Sequence, residues 1–431
     1  MNWIFLGIVL VAFVTAAWRQ LAFVAAEGVQ SPMEALSAAM ISSAAGAVEL
    51  AIGLVGVMTL FLGLMKVAEA GGLLTVIARL IRPLMTRLFP EVPPDHPAMG
   101  AMILNLSANA LGLGNAATPF GIRAMQELDR LNPRPGTATN SMALFLAINT
   151  SSVTLLPTAV IALRAAAGSA DPAAILPTTL FASICGTIAA VIAAMSLARF
   201  FPAGAPDPGA DAIDRPWARE DAAREALPAD PGGYPPWASA LAIGALVALI
   251  PVTIAWGKAI SPWIVPGLMA GFLLFGALRG ARVYESFVDG AKEGFQVALR
   301  IIPYLVAILV AVAMLRASGA LDAIVSTLGA LTSRVGLPPE ALPMALLRSL
   351  SGSGAYGVMA SIINDPAIGP DSYTGYLVST LQGSSETTFY VLAVYFGAVQ
   401  VRRVRHALAA ALIADVVAVI AAVAICSWLF A

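Results

Sequence analysis

Long apolar runs, separated by short polar segments, dominate the pattern of residues along the chain. A helix that spans a bilayer needs about 20 consecutive, mostly apolar residues. The stretches that meet this requirement are Val48–Met65, Ile175–Leu197, Ala238–Ala255, Ile264–Leu278, Ile301–Leu315 and Ala407–Leu429. The pattern therefore predicts an all-α polytopic membrane protein. The first residues, "MNWIFLGIVLVAFVTAAWRQ", lack the positive start of a signal peptide and predict a further membrane helix, with a cleaved signal as the alternative.

Composition supports the membrane class and excludes several others. Of the 431 residues, 59% are hydrophobic and only 11% are charged, whereas ordinary globular domains carry about 25% charged residues. The net charge of −1 gives no basic bias toward nucleic acid. Cys185 and Cys426 lie in apolar runs, and His96 and His406 are far apart in the chain, so we predict no metal site and no cofactor.

One segment interrupts the apolar pattern and divides the chain into three parts. Residues 201–236 are rich in proline, alanine, glycine and charge, which is typical of a linker. We expect this linker to be cytoplasmic and to join two membrane domains, residues 1–200 and 237–431.

The two predicted domains resemble diverged copies of one unit. Three pairs of segments match in the same order along the two domains. The pairs are Glu69–Pro94 with Arg316–Pro339, Ile103–Asn115 with Leu346–Val358, and Ile148–Leu163 with Leu381–Phe396. Internal repeats of membrane helices are common in transporters.

The distribution of basic residues favours opposite orientations for the two copies. Loop lysines and arginines prefer the cytoplasm, which places Arg279–Arg282 and Arg402–His406 inside. A loop around Lys258 would then lie outside, between two spans. Counting spans back to the first domain places Arg164 outside, whereas its counterpart Arg402 is inside. We therefore predict two inverted-topology repeats.

Polar clusters inside the apolar runs predict interruptions of the membrane helices. "NTSS" before Pro157, "QGSSETT", "NLSANALGLGN" and "LSGSGAYG" combine hydroxyl, amide and glycine residues. Non-helical backbone at membrane depth is tolerated only where it is buried in protein or lines a wet cavity. We predict four broken or re-entrant helices, two per domain, whose ends converge near the bilayer midplane. Ser, Thr and Gly that only pack helices closely are the alternative.

Single residues in these clusters are candidates for binding a solute. The "NTSS" and "QGSSETT" segments and the two upstream asparagines supply amide and hydroxyl groups. These residues are Asn105, Asn109, Asn149, Thr150, Ser151, Ser152, Ser384 and Ser385. Glu386 is the strongest candidate for a coupling proton or cation, because an acid within a span usually faces a polar interior. A protonated glutamate bonded to a neighbouring helix is the alternative. Asp415 and Glu49 also lie in apolar runs, where Arg348 or Arg300 could be their partners.

These clusters resemble a known family. "NLSANALGLGNAATPFGIRAMQEL" is similar to the signature of spore maturation protein A, and "RSLSGSGAYGVM", "GPDS" and "STLQGSSETTFYVLAVYFGAV" resemble spore maturation protein B. Such proteins carry the nucleoside-recognition or gate domain, which is also found in concentrative nucleoside transporters and a ferrous-iron transporter. The resemblance implies an inner-membrane protein with two gate domains.

The resemblance also implies a set of binding residues. They are Asn105, Ser107, Asn109, Asn115 and Thr118 in the first domain, and Ser351, Ser353, Gln382, Ser384, Ser385, Glu386 and Thr387 in the second.

The leading hypothesis is a secondary transporter or permease-like protein of the bacterial inner membrane. Its expected partners are a small polar solute, for which a nucleoside-like molecule is one candidate, a coupling proton or cation, membrane lipids, and further copies of the chain in a homo-oligomer. A non-transporting protein that assembles or regulates an envelope or spore-maturation process is the alternative. The spans contain no acid–base dyad, nucleophile–histidine pair or metal set. We therefore predict no enzyme activity, with a membrane enzyme for lipid or peptidoglycan precursors as the third reading.

Overall fold

The structure of the chain is a computed structural model. It describes residues 2–24, 30–112, 114–202, 233–321, 323, 332 and 335–430. Most of the predicted linker, residues 203–232, lies outside the described residues. The described chain is helical and contains no β-strand, apart from a single bridge between Thr137 and Arg403.

Helices of the first half precede the linker, and helices of the second half follow it. The first half contains α1 (Asn2–Leu21), α2 (Pro32–Ala70), α3 (Leu73–Leu88), α4 (Pro97–Ala110), α5 (Gly114–Arg130), α6 (Asn140–Thr150), α7 (Thr158–Ala166) and α8 (Leu176–Leu197). The second contains α9 (Pro236–Leu278), α10 (Val283–Ala317), α11 (Leu342–Leu350), α12 (Gly352–Ile363), α13 (Tyr373–Gly383), α14 (Thr388–Ala398) and α15 (Ala407–Phe430).

Three described helices, α2, α8 with its 3₁₀ extension, and α15, are long and apolar enough to cross a membrane by length and composition. Shorter apolar helical stretches occur in α1, α9, α10 and α12. The chain is therefore an all-helical membrane protein, as the apolar pattern predicted.

The predicted loop around Lys258 is wrong. Helix α9 runs without interruption from Pro236 to Leu278, and so includes both apolar runs that we assigned to separate spans. At 1.5 Å per residue, its length is about 65 Å. The backbone continues through the polar residues between the two runs because neither lysine nor a single glycine ends a helix by itself. The charge argument for inverted topology thus loses one of its steps.

Helices of both halves follow the same order. The short helices α6 and α13, which we call half-helices, begin with the same kind of cap. Before α6, the hydroxyl of Thr139 accepts the amide hydrogen of Met142 at 3.1 Å, and before α13 Ser372 accepts that of Gly375 at 3.0 Å. Such side-chain caps satisfy amides that lack a partner in the first turn. Each cap follows a glycine with positive φ by three residues, since Gly136 has φ of 80° and Gly369 has φ of 74°.

The long helices α8 and α15 lie antiparallel against each other. At one end, Arg405 Nε, just before α15, donates to Phe201 O, just after α8, at 2.8 Å. At the other end, the hydroxyls of Thr178 in α8 and Thr380 are 2.7 Å apart, and Cys426 Sγ near the end of α15 is 3.4 Å from Thr380. The pair therefore forms a spine with two distinct ends.

The half-helices α6 and α13 begin at opposite ends of this spine. Near the start of α15, Ala138 N donates to Arg403 O at 3.0 Å, immediately before α6. Near the end of α15, the Tyr373 hydroxyl in α13 lies 2.9 Å from the Ser427 hydroxyl. Each half-helix then runs toward the middle of the spine. This opposite entry agrees with inverted repeats, although the orientation across a membrane stays a prediction.

The two larger hydrophobic cores each contain residues from both halves of the chain. One core packs Phe145 of α6 against Tyr395 of α14, and the other includes Leu163 of α7 and Leu377 of α13. The two halves therefore form a single interdigitated bundle, because neither half contains a complete core of its own.

Candidate functional site

All four predicted helix interruptions are present. Helix α6 ends at Thr150 and α7 begins at Thr158, while α13 ends at Gly383 and α14 begins at Thr388. Gly112, with φ of 75°, lies between α4 and α5, and Ser351 is extended, with φ of −156°, between α11 and α12. The glycine and hydroxyl residues are thus where the backbone leaves the helical conformation.

Within the first half, the two breaks contact each other directly. The amide of Leu155, in the break after α6, donates to Ala110 O at the end of α4 at 2.9 Å. A Cβ atom at Gly112 would lie only 2.5 Å from Leu156 O. Because only glycine fits there, the chain can bring the two breaks into backbone contact.

The second half repeats this arrangement with side chains. Arg348 Nη1, near the end of α11, donates to Thr387 Oγ1 in the break before α14 at 3.2 Å. A Cβ atom at Gly352 would lie 2.7 Å from the same hydroxyl. The break after α11 therefore packs against the break after α13.

The breaks of the two halves also meet. Glu386 N donates to Thr150 O, the last helical residue of α6, at 2.8 Å. A Cβ atom at Gly383 would lie 3.1 Å from Pro157 Cβ, in the break after α6. Four interrupted helices therefore converge beside the middle of the spine, as the duplicated polar clusters predicted.

A buried amide network lies next to this junction. Asn109 Nδ2 in α4 donates to Asn149 Oδ1 in α6 at 2.9 Å, and the Tyr395 hydroxyl donates to the same oxygen at 3.4 Å. Asn105 Nδ2 donates to Ala117 O at 2.8 Å and to Tyr395 Oη at 3.0 Å. The network joins α4, α5 and α6 of the first half to α14 of the second.

Some polar atoms at the junction are buried without a hydrogen-bond partner among the described residues. They are Asn105 Oδ1, Thr179 Oγ1, Gln382 Oε1, Arg348 Nε and Asp415 Oδ1. A buried polar group without a partner costs about 1–3 kcal/mol. Each of these atoms can therefore take part in a further hydrogen bond.

Several predicted residues bond within their own helix instead. Ser107 Oγ donates to Ile103 O at 2.7 Å, and the hydroxyls of Thr150 and Ser151 donate to Ala147 O at 2.9 Å. Ser351 Oγ caps α12 by accepting Gly354 N–H at 3.0 Å. These four side chains satisfy local backbone, as hydroxyls in helices often do.

The remaining predicted residues vary in their exposure. Ser152, Ser384, Ser385 and Thr387 are buried at the junction, and Gln382 and Thr118 are half-buried. Ser353 is exposed, and the side chain of Asn115 lies outside the described residues.

Glu386 has an exposed side chain, and the structure records no side-chain hydrogen bond from it to a described residue. The alternative of a glutamate bonded to a neighbouring helix is therefore not what the described structure shows.

Sequence reasoning missed Tyr395 and underrated Asp415. Tyr395 is 4% exposed and links Asn105 to Asn149, but a single tyrosine in an apolar run carries no specific signal. Asp415 accepts from Ser349 Oγ at 2.6 Å and Thr388 Oγ1 at 2.8 Å. An acid within an apolar helix was the available signal for it.

Two segments of the chain match one family model. The model is described as "Gate: Nucleoside recognition", and it matches residues 51–167 and 298–402, about half of the chain. The chain belongs to the Gate (nucleoside recognition) family. One matched segment lies on each side of the linker, and together they contain all four helix breaks of this Gate protein.

Two curated relatives come from Bacillus subtilis (strain 168). Spore maturation protein B is 46% identical over 167 residues, which is 39% of this chain and 93% of the relative. Spore maturation protein A is 46% identical over 160 residues, or 37% of this chain and 82% of the relative. The chain is thus similar to both proteins, as the motifs predicted.

A solved structure aligns along the whole length of the chain. The Alcanivorax borkumensis YdaH transporter is 15% identical and matches 99% of this chain and 97% of its own, with a TM-score of 0.38. That score is below the level that supports a shared fold. Gate family membership and the helical membrane fold together indicate a transporter-like membrane protein rather than an enzyme.

Proposed function

We propose that this Gate protein is a secondary transporter or permease-like protein that crosses the bacterial inner membrane several times. It binds a small polar solute, of nucleoside-like chemistry, where the interrupted helices of its two inverted halves meet. The observation that carries the proposal is the bond from Glu386 N to Thr150 O, which joins breaks from both halves beside a buried amide network. Discontinuous helices at a repeat interface are the usual material of such sites.

The side chains at the junction suit a neutral, hydrogen-bonding solute. Asn105, Asn109 and Asn149 supply amide donors and acceptors, and Tyr395 supplies a hydroxyl. Amides that now bond to each other can exchange those bonds for bonds to a solute. Asn105 Oδ1 and Gln382 Oε1, which have no partner among the described residues, add acceptors for solute hydroxyl or amine groups.

Reconstituted uptake tests the proposal. We expect purified protein in proteoliposomes to accumulate at least one member of a panel of labelled nucleosides, nucleobases and other small polar metabolites. Asn149→Ala should reduce that uptake at least about tenfold, because it removes the acceptor shared by Asn109 and Tyr395.

Asn364→Ala is the matched control, since the Asn364 side chain is exposed and, among the described residues, donates to Ala360 O one turn earlier. Equal uptake by wild type and Asn149→Ala would show that the solute does not bind at the junction. Absence of uptake or binding for the whole panel would contradict the transport proposal.

A second candidate function is the assembly or regulation of an envelope process without transport. The observation that favours it is the close packing of the junction, where the cavity lined by Ser384 and Ser385 has a volume of only about 10 Å³. The relatives, whose names refer to spore maturation, fit either function. Crosslinking in cells distinguishes the two candidates, because an assembly role requires a stable protein partner and a transporter does not.

A further inference from the structure

Asp415 is an acidic side chain inside the bundle with one satisfied and one unsatisfied oxygen. It lies in α15 and is 8% exposed. Its Oδ2 accepts hydrogen bonds from Ser349 Oγ at 2.6 Å and Thr388 Oγ1 at 2.8 Å. Its Oδ1 is buried and has no partner among the described residues. The two oxygens of this carboxyl group therefore differ in hydrogen bonding, and only Oδ1 is free to carry a proton.

A small cavity lies beside this carboxyl group. Its volume is about 10 Å³, and its lining includes Asp415, Arg348, Ser384 and Ser385. A space of this size holds at most one water molecule. A carboxylate in such a place is poorly solvated, and this burial disfavours the charged form, whereas the two hydroxyl donors to Oδ2 favour it. A proton on Oδ1 would remove that charge and leave both bonds to Oδ2 intact.

Arg348 is the one charged side chain that faces Asp415 from the described helices packed around it. It is 7% exposed and acts electrostatically on both Asp415 and Glu386. Its Nη1 donates to Thr387, its Nε has no partner, and it forms an ion pair with neither acid in the described part of the chain. Among the described residues, the other groups recorded in this region are hydroxyl and apolar ones such as Ser151, Leu381 and Ser384.

The position of Arg348 favours a proton over a metal cation at this place. A cavity of about 10 Å³ with a guanidinium group in its wall has no room for a metal cation and its several oxygen ligands, whereas a proton on Asp415 needs no added volume.

We propose that Asp415 Oδ1 is a buried proton-binding site whose occupancy is set by the charge of Arg348, which lines the same cavity. Loading forms one O–H bond at Oδ1 with a proton from a hydronium ion, which becomes water, and unloading returns that proton to water. The use of this proton as the coupling ion rests on the proposed transport function, but the protonation itself does not.

Infrared titration of the purified protein in detergent, without any solute, tests the site directly. We expect wild type to show a carboxylic-acid C=O band of a buried carboxyl group that appears as the pH is lowered. The band should be absent in Asp415→Asn and retained in Asp289→Asn, whose carboxyl group is exposed beside Lys292. A band that persists in Asp415→Asn would overturn the proposal.

A second variant keeps Asp415 and remains informative if Asp415→Asn does not fold. Ser349→Ala removes one donor to Oδ2, which stabilises the ionised form. We expect the titration midpoint of the band to move to higher pH, and an unchanged midpoint would contradict the assignment to Asp415. Arg348→Gln removes a nearby positive charge that favours the ionised form. It should likewise move the titration midpoint of the band to higher pH.

The infrared result and the uptake result can fail separately. A titrating Asp415 band together with no uptake of any solute would refute the proposed function and leave the proton site standing. Solute uptake that persists in Asp415→Asn and shows no pH dependence, with no titrating band in wild type, would refute the proton site and leave transport standing.

Discussion

The backbone amide of Glu386 donates a hydrogen bond to the carbonyl of Thr150 at 2.8 Å, across 236 positions of the chain. Thr150 ends a half-helix of the first half, and Glu386 lies just beyond the matching half-helix of the second. Main-chain groups that an interruption leaves free in each half thus satisfy each other. This bond explains why the two polar clusters tolerate burial, since unpaired backbone in hydrocarbon costs several kcal/mol.

Replacement of Glu386 should alter coupling without disrupting the fold. Its side chain is exposed and its structural bond is made by the backbone amide, so Glu386→Gln keeps that bond. We expect an unchanged melting temperature, and a solute uptake that no longer responds to an imposed proton gradient. Gradient-driven uptake equal to that of wild type would remove the coupling role from Glu386.

The amide pair Asn109–Asn149 should behave as a coupled unit. Either single alanine variant leaves a buried amide group without its partner, which costs about 1–3 kcal/mol of unfolding free energy. The double variant should therefore lose less than the sum of both single losses, with a coupling energy of about 0.5–3 kcal/mol. Denaturant unfolding in detergent of wild type, both single variants and the double variant measures this coupling energy. Strict additivity of the losses would show that the two side chains do not interact.

Gly112 and Gly72 form a matched pair for testing the contact between the breaks. Both have positive φ, 75° and 85°, but a Cβ atom at Gly112 meets Leu156 O, whereas one at Gly72 has no atom within 4 Å. Gly72→Ala should cost about 1 kcal/mol of backbone strain, and Gly112→Ala at least about twice as much. Thermal unfolding compares them. Equal losses would mean that the two breaks of the first half do not touch.

Arg164 should be essential for the stability of the end of the spine where α8 begins and α15 ends. It is fully buried, donates to Pro370 O at 2.6 Å and Asp371 Oδ1 at 2.8 Å, and lies 4.5 Å from the centre of the Tyr376 ring. Arg164→Met breaks these bonds between the halves and should cost about 3 kcal/mol or more.

The control for Arg164 is Asp289→Asn, which breaks an exposed pair with Lys292 and should cost less than about 1 kcal/mol. A chemical denaturation midpoint for each variant makes the comparison. Equal losses of stability in both variants would show that the buried contacts of Arg164 stabilise the fold no more than an exposed ion pair does.

His406, immediately before α15, should make stability depend on pH. Burial, followed by the neighbouring Arg405 charge, lowers the pKa of its imidazole to about 4. Because the folded pKa lies below the unfolded value of about 6.5, the unfolded state binds the proton more readily. The contribution of His406 is fully present above about pH 6.5 and is lost as the pH falls toward 4.

We therefore expect the melting temperature of wild type to fall between about pH 7 and pH 5 by more than that of His406→Phe. The phenyl ring keeps the packing near Phe201, whose ring centre is 6.3 Å from that of His406, and cannot titrate. Parallel pH profiles for the two proteins would show that His406 does not titrate with unfolding.

Features that depend on neighbouring residues in the chain could be predicted. The membrane class follows from the length of apolar runs, and the four helix breaks follow from glycine, proline and hydroxyl residues that weaken helices locally. The repeated order of the helices was visible in matched segments. The loop expected near Lys258 shows the limit of this reasoning, since polar residues between two apolar runs did not end α9.

Features that depend on packing between distant segments could not be predicted. Asn149 was a candidate from its cluster, but its bonds to Asn109 and Tyr395 join three helices. The exposure of Glu386 and the unpartnered oxygen of Asp415 likewise depend on which helices surround them. Hydropathy treats both acids alike, although their environments differ.

The sequence by itself determined that this chain forms apolar helices interrupted at four polar places, because helix length and helix breaking are local properties of the backbone. Only the tertiary structure decided that Thr150 meets Glu386 and that Asp415 lies buried beside Arg348. Those pairings join residues far apart in the chain, and they depend on how the helices of both halves fill one common core.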